Sequence, residues 1–494
     1  PATRVGRKSA RPQKSAPPTT TSKPNKQTIH EPSPTTRKGR CSPSAAHAAT
    51  INDTGLRPGT SPDVPATRAG RKSARPQKSA PPTTTSKPNK QTIRRQSTRE
   101  TSFKTKLKKA IANLVRVPSD DKSETAKIYN PIVNCILEEI KKMAVDEGED
   151  DIFRLRQLNS GSYFENLKVD TTNEFDFMFC IYGQKLTLEE TEPSLGMVAV
   201  KLPRKNKSSL RNYLTPDGYL SPKKLLNRFR GLVEQTIETL SAAGADSPFK
   251  DLEFKLMRQK DGCPAVTLNV AKKRLQMSID LVFALEVPTP WPKCTKGWNQ
   301  SVTHWPDSRD IRAIKRNELH LVAKAAPHDK DPDGEKLWRL SFSQAEKEIF
   351  NGRGQILSPT DASNHATLCR KDCLRCLKYI KYKLQLTGGV SRDVDFASYH
   401  LKTVLLHAIV KRPDGWENEN LVTCLVCVID VLVSSIETRH LPHFFIPGYN
   451  LFEPAIFKGL EHLDTVKDQF LRVKEDLVNE RLPKELDALE MPVH

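Results

Sequence analysis

The sequence predicts an α+β fold: a mixed β-sheet lobe followed by a helical lobe, preceded by a disordered basic tail. Three observations carry this prediction. The first hundred residues hold 21 Lys and Arg against 4 Asp and Glu and lack hydrophobic periodicity. From about residue 153 to about residue 285 short apolar runs alternate with polar positions, the period-two signature of strands. Beyond about Pro306 the apolar residues recur mainly at helical spacing. The units read in this way are 1–101, the tail; 102–305, a long helix with the sheet lobe; and 306–494, the helical lobe.

The tail is rich in Pro, Ser, Thr, Lys and Arg, so it cannot bury enough apolar surface to offset its ordering entropy. Residues 1–29 recur as 65–93, with Val5 against Ala69 the single change. The units are too polar for a solenoid and read as a duplicated disordered module. The formal net charge is +21, of which the first hundred residues supply 21 − 4 = +17. Such a chain expects a polyanion, nucleic acid first and an anionic membrane second. A tail of this kind serves as a nucleic-acid tether or simply as a solubilising segment.

Residues 105–117 and 124–146 are expected to be helical; in the second, Ile128, Ile132, Ile136, Ile140 and Met143 form one stripe, and Pro131 starts or kinks it. Strands are expected over 153–179, 197–202, 252–257, 265–270 and 275–285, with a helix over 220–243 between them. The second lobe would contain helices over 346–350, 373–386, 398–410, 421–436 and 464–479. No apolar run reaches membrane-spanning length; the longest, Leu421 to Val433, contains Asp430 and reads as a buried helix. Ten scattered cysteines and no secretory leader point to a reducing compartment, the cytoplasm or the nucleus.

The chemistry concentrates in Asn159–Phe179. Gly161-Ser162 opens a turn able to offer backbone N–H groups and a hydroxyl to phosphate oxygens. Glu174 and Asp176 then share one strand face, while Phe175, Phe177 and Phe179 take the other. Two neighbouring carboxylates repel unless a cation lies between them, and hard oxygen ligands suit Mg²⁺. Asp280, the lone charge in Ser-Ile-Asp-Leu-Val-Phe, offers the third carboxylate that a two-metal phosphoryl-transfer site wants. Alone, Glu-x-Asp also fits a solvated strand face; with the turn and Asp280 it points to a nucleotidyltransferase site.

Gly161-Ser-Tyr-Phe-Glu, Asn173-Glu-Phe-Asp-Phe-Met-Phe, Ser278-Ile-Asp-Leu-Val-Phe, Trp338-Arg-Leu-Ser-Phe-Ser, Cys369-Arg-Lys-Asp-Cys, Ser398-Tyr-His-Leu-Lys-Thr and Phe445-Ile-Pro-Gly-Tyr-Asn-Leu-Phe occur in this order. Together, over roughly residues 102–480, they resemble the Mab-21 group of nucleotidyltransferases, and within it the cyclic GMP-AMP synthases. The resemblance implies a bilobal nucleotidyltransferase fold with residues 124–146 as its spine helix. It implies that Glu174, Asp176 and Asp280 are catalytic and hold two Mg²⁺, with Mn²⁺ as a substitute, and Asp280 is the candidate base. Gly161, Ser162, Arg339, Ser341, Ser343, Lys378, Ser398 and Tyr399 match nucleotide contacts. Arg116, Lys347, Lys371 and Arg375 fall at or near nucleic-acid contacts, which would read phosphate and duplex shape; an ordinary solvated basic face is the alternative. The implied activity is DNA-activated joining of ATP and GTP into 2′,3′-cyclic GMP-AMP, an innate immune messenger, by a homodimer on double-stranded DNA.

Two departures stand out. Where the group often carries a base-reading Thr two residues after the third carboxylate, this chain has Val282, which cannot hydrogen-bond. The zinc-binding thumb is shortened: its paired cysteines are absent, and Arg353 or a neighbour takes the place of its His. His365, Cys369, Cys373 and Cys376 form an alternative set, but at helical spacing unlike loop-borne zinc pairs, so a metal-free thumb is expected. Other readings stay open: a relative activated by double-stranded RNA making another dinucleotide, a non-catalytic Mab-21-like scaffold, and a chromatin-binding protein driven by its tail.

Overall fold

A computed structural model describes residues 102–487, except 117–118, 160, 170–172, 191–194, 243–246, 261, 274, 288–289, 299–304, 325–330, 332–334, 351–367 and 455–456. The expectations for the tail, its duplication, Arg353 and His365 lie outside the described residues.

Helix α1 (residues 102–110) runs into a π-helical turn, Ile111–Val115, and burying Phe103, Leu107, Ile111 and Val115 fixes one face. Helix α2 (Ser119–Asp146) follows. Ile132, Ile136 and Ile140 are fully buried along it, whereas Ile128 and Met143 lie at the half-buried edge of the stripe. Pro131 lies inside the helix, where its ring removes one backbone donor.

A nine-stranded sheet carries the site. After α3 (Asp150–Phe153) come β1 (Arg156–Leu158), β2 (Glu174–Ile181), β3 (Thr187–Glu190) and β4 (Met197–Lys201). Helix α4 (Pro222–Ala242) separates these from β5 (Glu253–Leu256), β6 (Ala265–Lys272) and β7 (Leu275–Val287). After α5 (Ser308–Ile314) the chain returns to the sheet as β8 (Leu319–Val322) and β9 (Leu337–Ser341). The order is β1-β2-β7-β8-β9-β4-β3, with β6 and then β5 continuing beside the first half of β7. Among the described strands only β2 and β7 pair in parallel.

Period-two alternation assigns the two faces. Phe175, Phe177 and Phe179 pack under α2 and α4: Tyr129 lies 4.3 Å from Phe175 between ring centres, and Phe229 stacks at 5.1 Å on Phe283 of β7. The opposite face carries Asp176, then Met178 and Cys180, which cluster with Ala284 and Val322. Burial of the aromatic side chains, each contributing on the order of 2 kcal/mol of transfer free energy, therefore holds the carboxylates on the exposed side.

The expectation of helix from about Pro306 onward is corrected here, since β8 and β9 belong to the sheet and β10 (Pro442–His443) pairs with β11 (Ile446–Asn450). Strands this short give no clear period of their own. Likewise only the ends of 153–179 are extended; between them residues 161–166 form a turn. The expected helices are found as α6 (Ser343–Phe350), α7 (Arg370–Leu386), α8 (Ser398–Lys411), α9 (Leu421–Glu437) and α10 (Leu463–Val478). With the preceding 3₁₀ turn, Asn418–Glu437 makes 20 helical residues, apolar enough in composition to cross a membrane and longer than the sequence count suggested. Its Leu425, Val428, Ile429, Leu432 and Ile436 are buried, and it packs on α8 and α10, as expected of a core helix.

Candidate active site

The parallel register sets Asp176 directly opposite Asp280, and Glu174 opposite Ser278. Burial, and after it the Asp280 charge, pushes the Asp176 carboxyl up to about 6. On the far side of β7, Thr267 of β6 donates its hydroxyl to Asp280 Oδ1 at 2.6 Å, fixing that side chain. Glu174 is mostly exposed and takes Lys168 Nζ at 2.7 Å. Two of the three expected ligands are thus side by side, and the third lies on the same face with a lysine as its present counter-ion.

Among the described residues no group of three or more His, Cys, Asp or Glu is arranged to hold a metal ion. The donor set nevertheless fits a hard divalent cation, because it is all carboxylate, and burial with the neighbouring Asp280 charge raises the Asp176 carboxyl in a way that a cation would relieve. Cys369, Cys373 and Cys376, in contrast, are fully buried at the start of α7, and burial pushes the Cys373 and Cys376 thiols up.

Gly161 explains how the turn meets the carboxylates. Its φ is +91°, and a Cβ there would lie 2.6 Å from both Cβ and Oδ2 of Asp176, so only glycine allows this approach. The turn is closed by Glu165 N–H to the Gly161 carbonyl at 3.0 Å and Leu167 N–H to the Ser162 carbonyl at 2.6 Å. Four basic side chains from the helical lobe grip it. Lys347 donates to the Asn159 carbonyl (3.4 Å), Arg375 to Asn166 (2.6 Å) and Lys378 to Leu167 (2.7 Å), and Lys402 pairs with the Glu165 carboxylate (2.8 Å).

Next to the turn lies a cavity of about 430 Å³. Trp338 of β9 points into the core and donates to the Leu220 carbonyl, so Arg339 and Ser341 point the other way and line this cavity with Ser343. The Ser343 hydroxyl is buried without a partner. Lys324 stands on the same wall, and burial, followed by the Arg339 charge, pulls its pKa down. Tyr399 completes the wall, its hydroxyl 2.8 Å from His443 Nε2 and 3.3 Å from Glu346. Lys402 lies largely buried between Glu165 and Glu346, and these carboxylates outweigh its burial and raise its pKa. Ser398 is exposed at the start of α8 and does not line the cavity. Val282 packs against Met178, Ala284 and Val322, of which Val322 lines the cavity. A second cavity, of about 520 Å³, opens on the other side of Glu174, beside Asn269 and Ser278.

Sequence reasoning missed Lys324, Glu165, Glu346, Lys402 and His443. The available signals were slight: Glu165 ends the Gly-Ser-Tyr-Phe-Glu run, and Lys402 lies one helical turn after Tyr399. The residues read as nucleic-acid contacts are placed unequally. Arg116 is 49% exposed, Lys347 and Lys371 are half-buried, and Arg375 is only 8% exposed.

A mixed sheet presenting paired acids on one face, a glycine turn packed on one of them and a cation-walled cavity defines the nucleotidyltransferase class. The chain matches the Mab-21 protein nucleotidyltransferase domain over residues 163–352 and the Mab-21 protein HhH/H2TH-like domain over 369–466. It is 31% identical over 372 residues to the cyclic GMP-AMP synthase of Mus musculus, an overlap covering 75% of this chain and 68% of that one. To the Sus scrofa cyclic GMP-AMP synthase it is 30% identical, over 68% of this chain and 65% of the relative. To a cyclic GMP-AMP synthase-like receptor of Magallana gigas it is 28% identical, over 67% and 53%. The chain therefore belongs to the Mab-21 family of nucleotidyltransferases, and spans about two thirds of the first two relatives and about half of the third.

Proposed function

We propose that this chain is a nucleic-acid-activated nucleotidyltransferase that joins ATP and GTP into 2′,3′-cyclic GMP-AMP in response to double-stranded DNA. The observation that carries the catalytic reading is the in-register pair Asp176 and Asp280 with Gly161 packed on Asp176. The names of the two synthase relatives support the product. Glu174, Asp176 and Asp280 are the residues that would hold Mg²⁺, which when bound neutralises the attacking and leaving oxygens of an in-line displacement.

The protein's own groups supply the rest. The turn at Gly161-Ser162 offers backbone donors to the triphosphate. Asp280, oriented by Thr267, accepts the proton of the incoming hydroxyl as its oxygen bonds to the α-phosphorus and pyrophosphate leaves. Arg339 and Lys324 neutralise phosphate charge in the cavity, and the Tyr399 ring offers a face for a base. Residues 1–101 act as a cationic tether, the units 102–305 and 306–494 form the two lobes, and the protein works as a dimer on nucleic acid in the cytoplasm or nucleus.

Val282, which can offer no hydrogen bond to a base, favours a second reading, in which double-stranded RNA is the activator and another dinucleotide the product. Presence of all three carboxylates argues against a non-catalytic scaffold. Incubation of the protein with ATP, GTP and Mg²⁺, alone, with duplex DNA and with duplex RNA, followed by mass identification of products, separates these readings. Cyclic GMP-AMP formed only with DNA supports the first, and absence of any dinucleotide under all conditions overturns both.

A further inference from the structure

We propose that Asp395 is a specificity-determining residue that reads the Watson–Crick edge of guanine in the cavity beside the Gly161 turn. This deepens the function given above and rests on it. The segment Val394-Asp-Phe-Ala precedes α8, and its two large apolar residues take the inward positions. Val394 is 4% and Phe396 1% exposed, so Asp395 between them is turned outward. Its backbone is held on both sides. The Asp395 N–H donates to the Lys458 carbonyl at 2.9 Å, its carbonyl accepts the Ala397 N–H at 3.1 Å, and Phe396 stacks on His400 of α8. The carboxylate so placed lines the cavity together with Arg339 and Tyr399.

Three carboxylates line this cavity, those of Glu165, Glu346 and Asp395. Glu165 is taken by Lys402, and Glu346 by Lys402 and the Tyr399 hydroxyl. Asp395, of the three, has no side-chain hydrogen bond or ion pair among the described residues. Its charge still reaches two lysines. Burial, and for Lys324 the Arg339 charge, pulls Lys324 and Lys381 down, and Asp395 opposes this in both. A carboxylate repels phosphate, so in a nucleotide cavity its place is at the base. It is acceptor-only, with two oxygens side by side. Guanine presents two adjacent donors, N1–H and the 2-amino group, and meets this pair with parallel, charge-assisted hydrogen bonds. Adenine presents its 6-amino donor beside a bare N1, whose lone pair would face a carboxylate oxygen. Val282 offers a base no hydrogen bond, so a guanine reader has to come from elsewhere in the wall. Were Asp395 there only to balance Lys324 and Lys381, its loss would affect every nucleotide alike.

The test uses the full chain with Mg²⁺ and duplex DNA. Binding of GTP, inosine triphosphate (which lacks the 2-amino group) and ATP is measured by calorimetry, each as an α,β-methylene analogue that cannot react. Products from unmodified ATP and GTP are identified by mass. A bidentate base contact discriminates by about tenfold to a hundredfold, and an exposed carboxylate falls at the lower end. The wild type should therefore bind the guanine analogue about tenfold more tightly than the inosine analogue. Asp395→Ala should bring that ratio to about one without weakening the ATP analogue. Asp395→Asn pairs one acceptor with one donor, the pattern that adenine complements, and should shift product from cyclic GMP-AMP toward an all-adenine dinucleotide. The side chain is exposed, so both variants should melt with the wild type. A wild-type ratio near one, or a wild-type preference kept by Asp395→Ala, overturns the proposal while leaving the functional reading intact. Equal weakening of all three analogues in Asp395→Ala shows charge balance alone and also overturns it. A wild type that makes no dinucleotide with any duplex overturns the functional reading, and the binding ratios still decide the role of Asp395.

Discussion

Gly161→Ala tests the core of the site, because two separable penalties fall on it. The backbone φ of +91° is hostile to any Cβ and costs about 1–3 kcal/mol in stability. The new methyl would also sit 2.6 Å from Asp176 Cβ and Oδ2. Asp176 is held by its pairing with Asp280 of β7 and by β1 two residues further on, so the carboxylate rotates or the turn lifts. A displacement of roughly 1 Å in a reacting constellation costs on the order of a hundredfold in rate. Gly183→Ala is the control: its φ is +71°, and no atom lies within 4 Å of the added carbon. Both variants should lose similar thermal stability, followed by calorimetry. Only Gly161→Ala should lose turnover, followed by pyrophosphate release with saturating ATP, GTP, Mg²⁺ and duplex. A Gly161→Ala protein within about twofold of wild type, against the hundredfold expected, would refute the placement of this turn against the catalytic acid.

Glu174→Gln combined with Asp176→Asn keeps shape and removes two charges, so turnover should fall by orders of magnitude while the melting temperature holds or rises; near wild-type turnover rejects the assignment. Burial pushes the His320 imidazole down to about 4, and neither ring nitrogen has a partner. The unfolded chain therefore takes this proton first, and stability that is complete above about pH 6.5 declines as pH falls toward about 4. At about pH 5 the loss is roughly 2 kcal/mol, so His320→Leu should melt with a shallower acid dependence than wild type; an unchanged dependence means that another group is responsible. Purified protein should carry well under one zinc per chain, and chelation followed by Mg²⁺ should leave synthesis intact; stoichiometric zinc lost together with activity would instead show a rearranged thumb.

The parts legible in the sequence are those in which local pattern and tertiary role coincide. Glu174-Phe-Asp-Phe-Met-Phe declares both faces of β2, and a lone Asp in an apolar run marks β7. Strands β8 and β9 were missed because four or five residues give no period, and only the sheet makes them strands. Lys402 looked like any helical lysine until Glu165 and Glu346, 237 and 56 residues earlier in the chain, closed on it. Arg375 and Lys371 share a helical neighbourhood, but which of them faces inward depends on Asp372 and the Asn166 carbonyl. Roles that arise from such distant pairings leave little trace in spacing.

The parallel pairing of β2 with β7 also bears on how the molecule comes into being. Asp176 and Asp280 are 280 − 176 = 104 positions apart, and the strands that join them are neighbours only after the intervening β3, β4, α4, β5 and β6 have been placed. Closing so long a loop carries an entropic cost that nothing local repays, which makes it a slow, late event in folding. During synthesis the nascent chain would hold Glu174 and Asp176 on an aromatic-backed strand well before Asp280 leaves the ribosome. The acid pair, and with it any capacity to act on nucleotides, would arise in one cooperative step near the end of assembly.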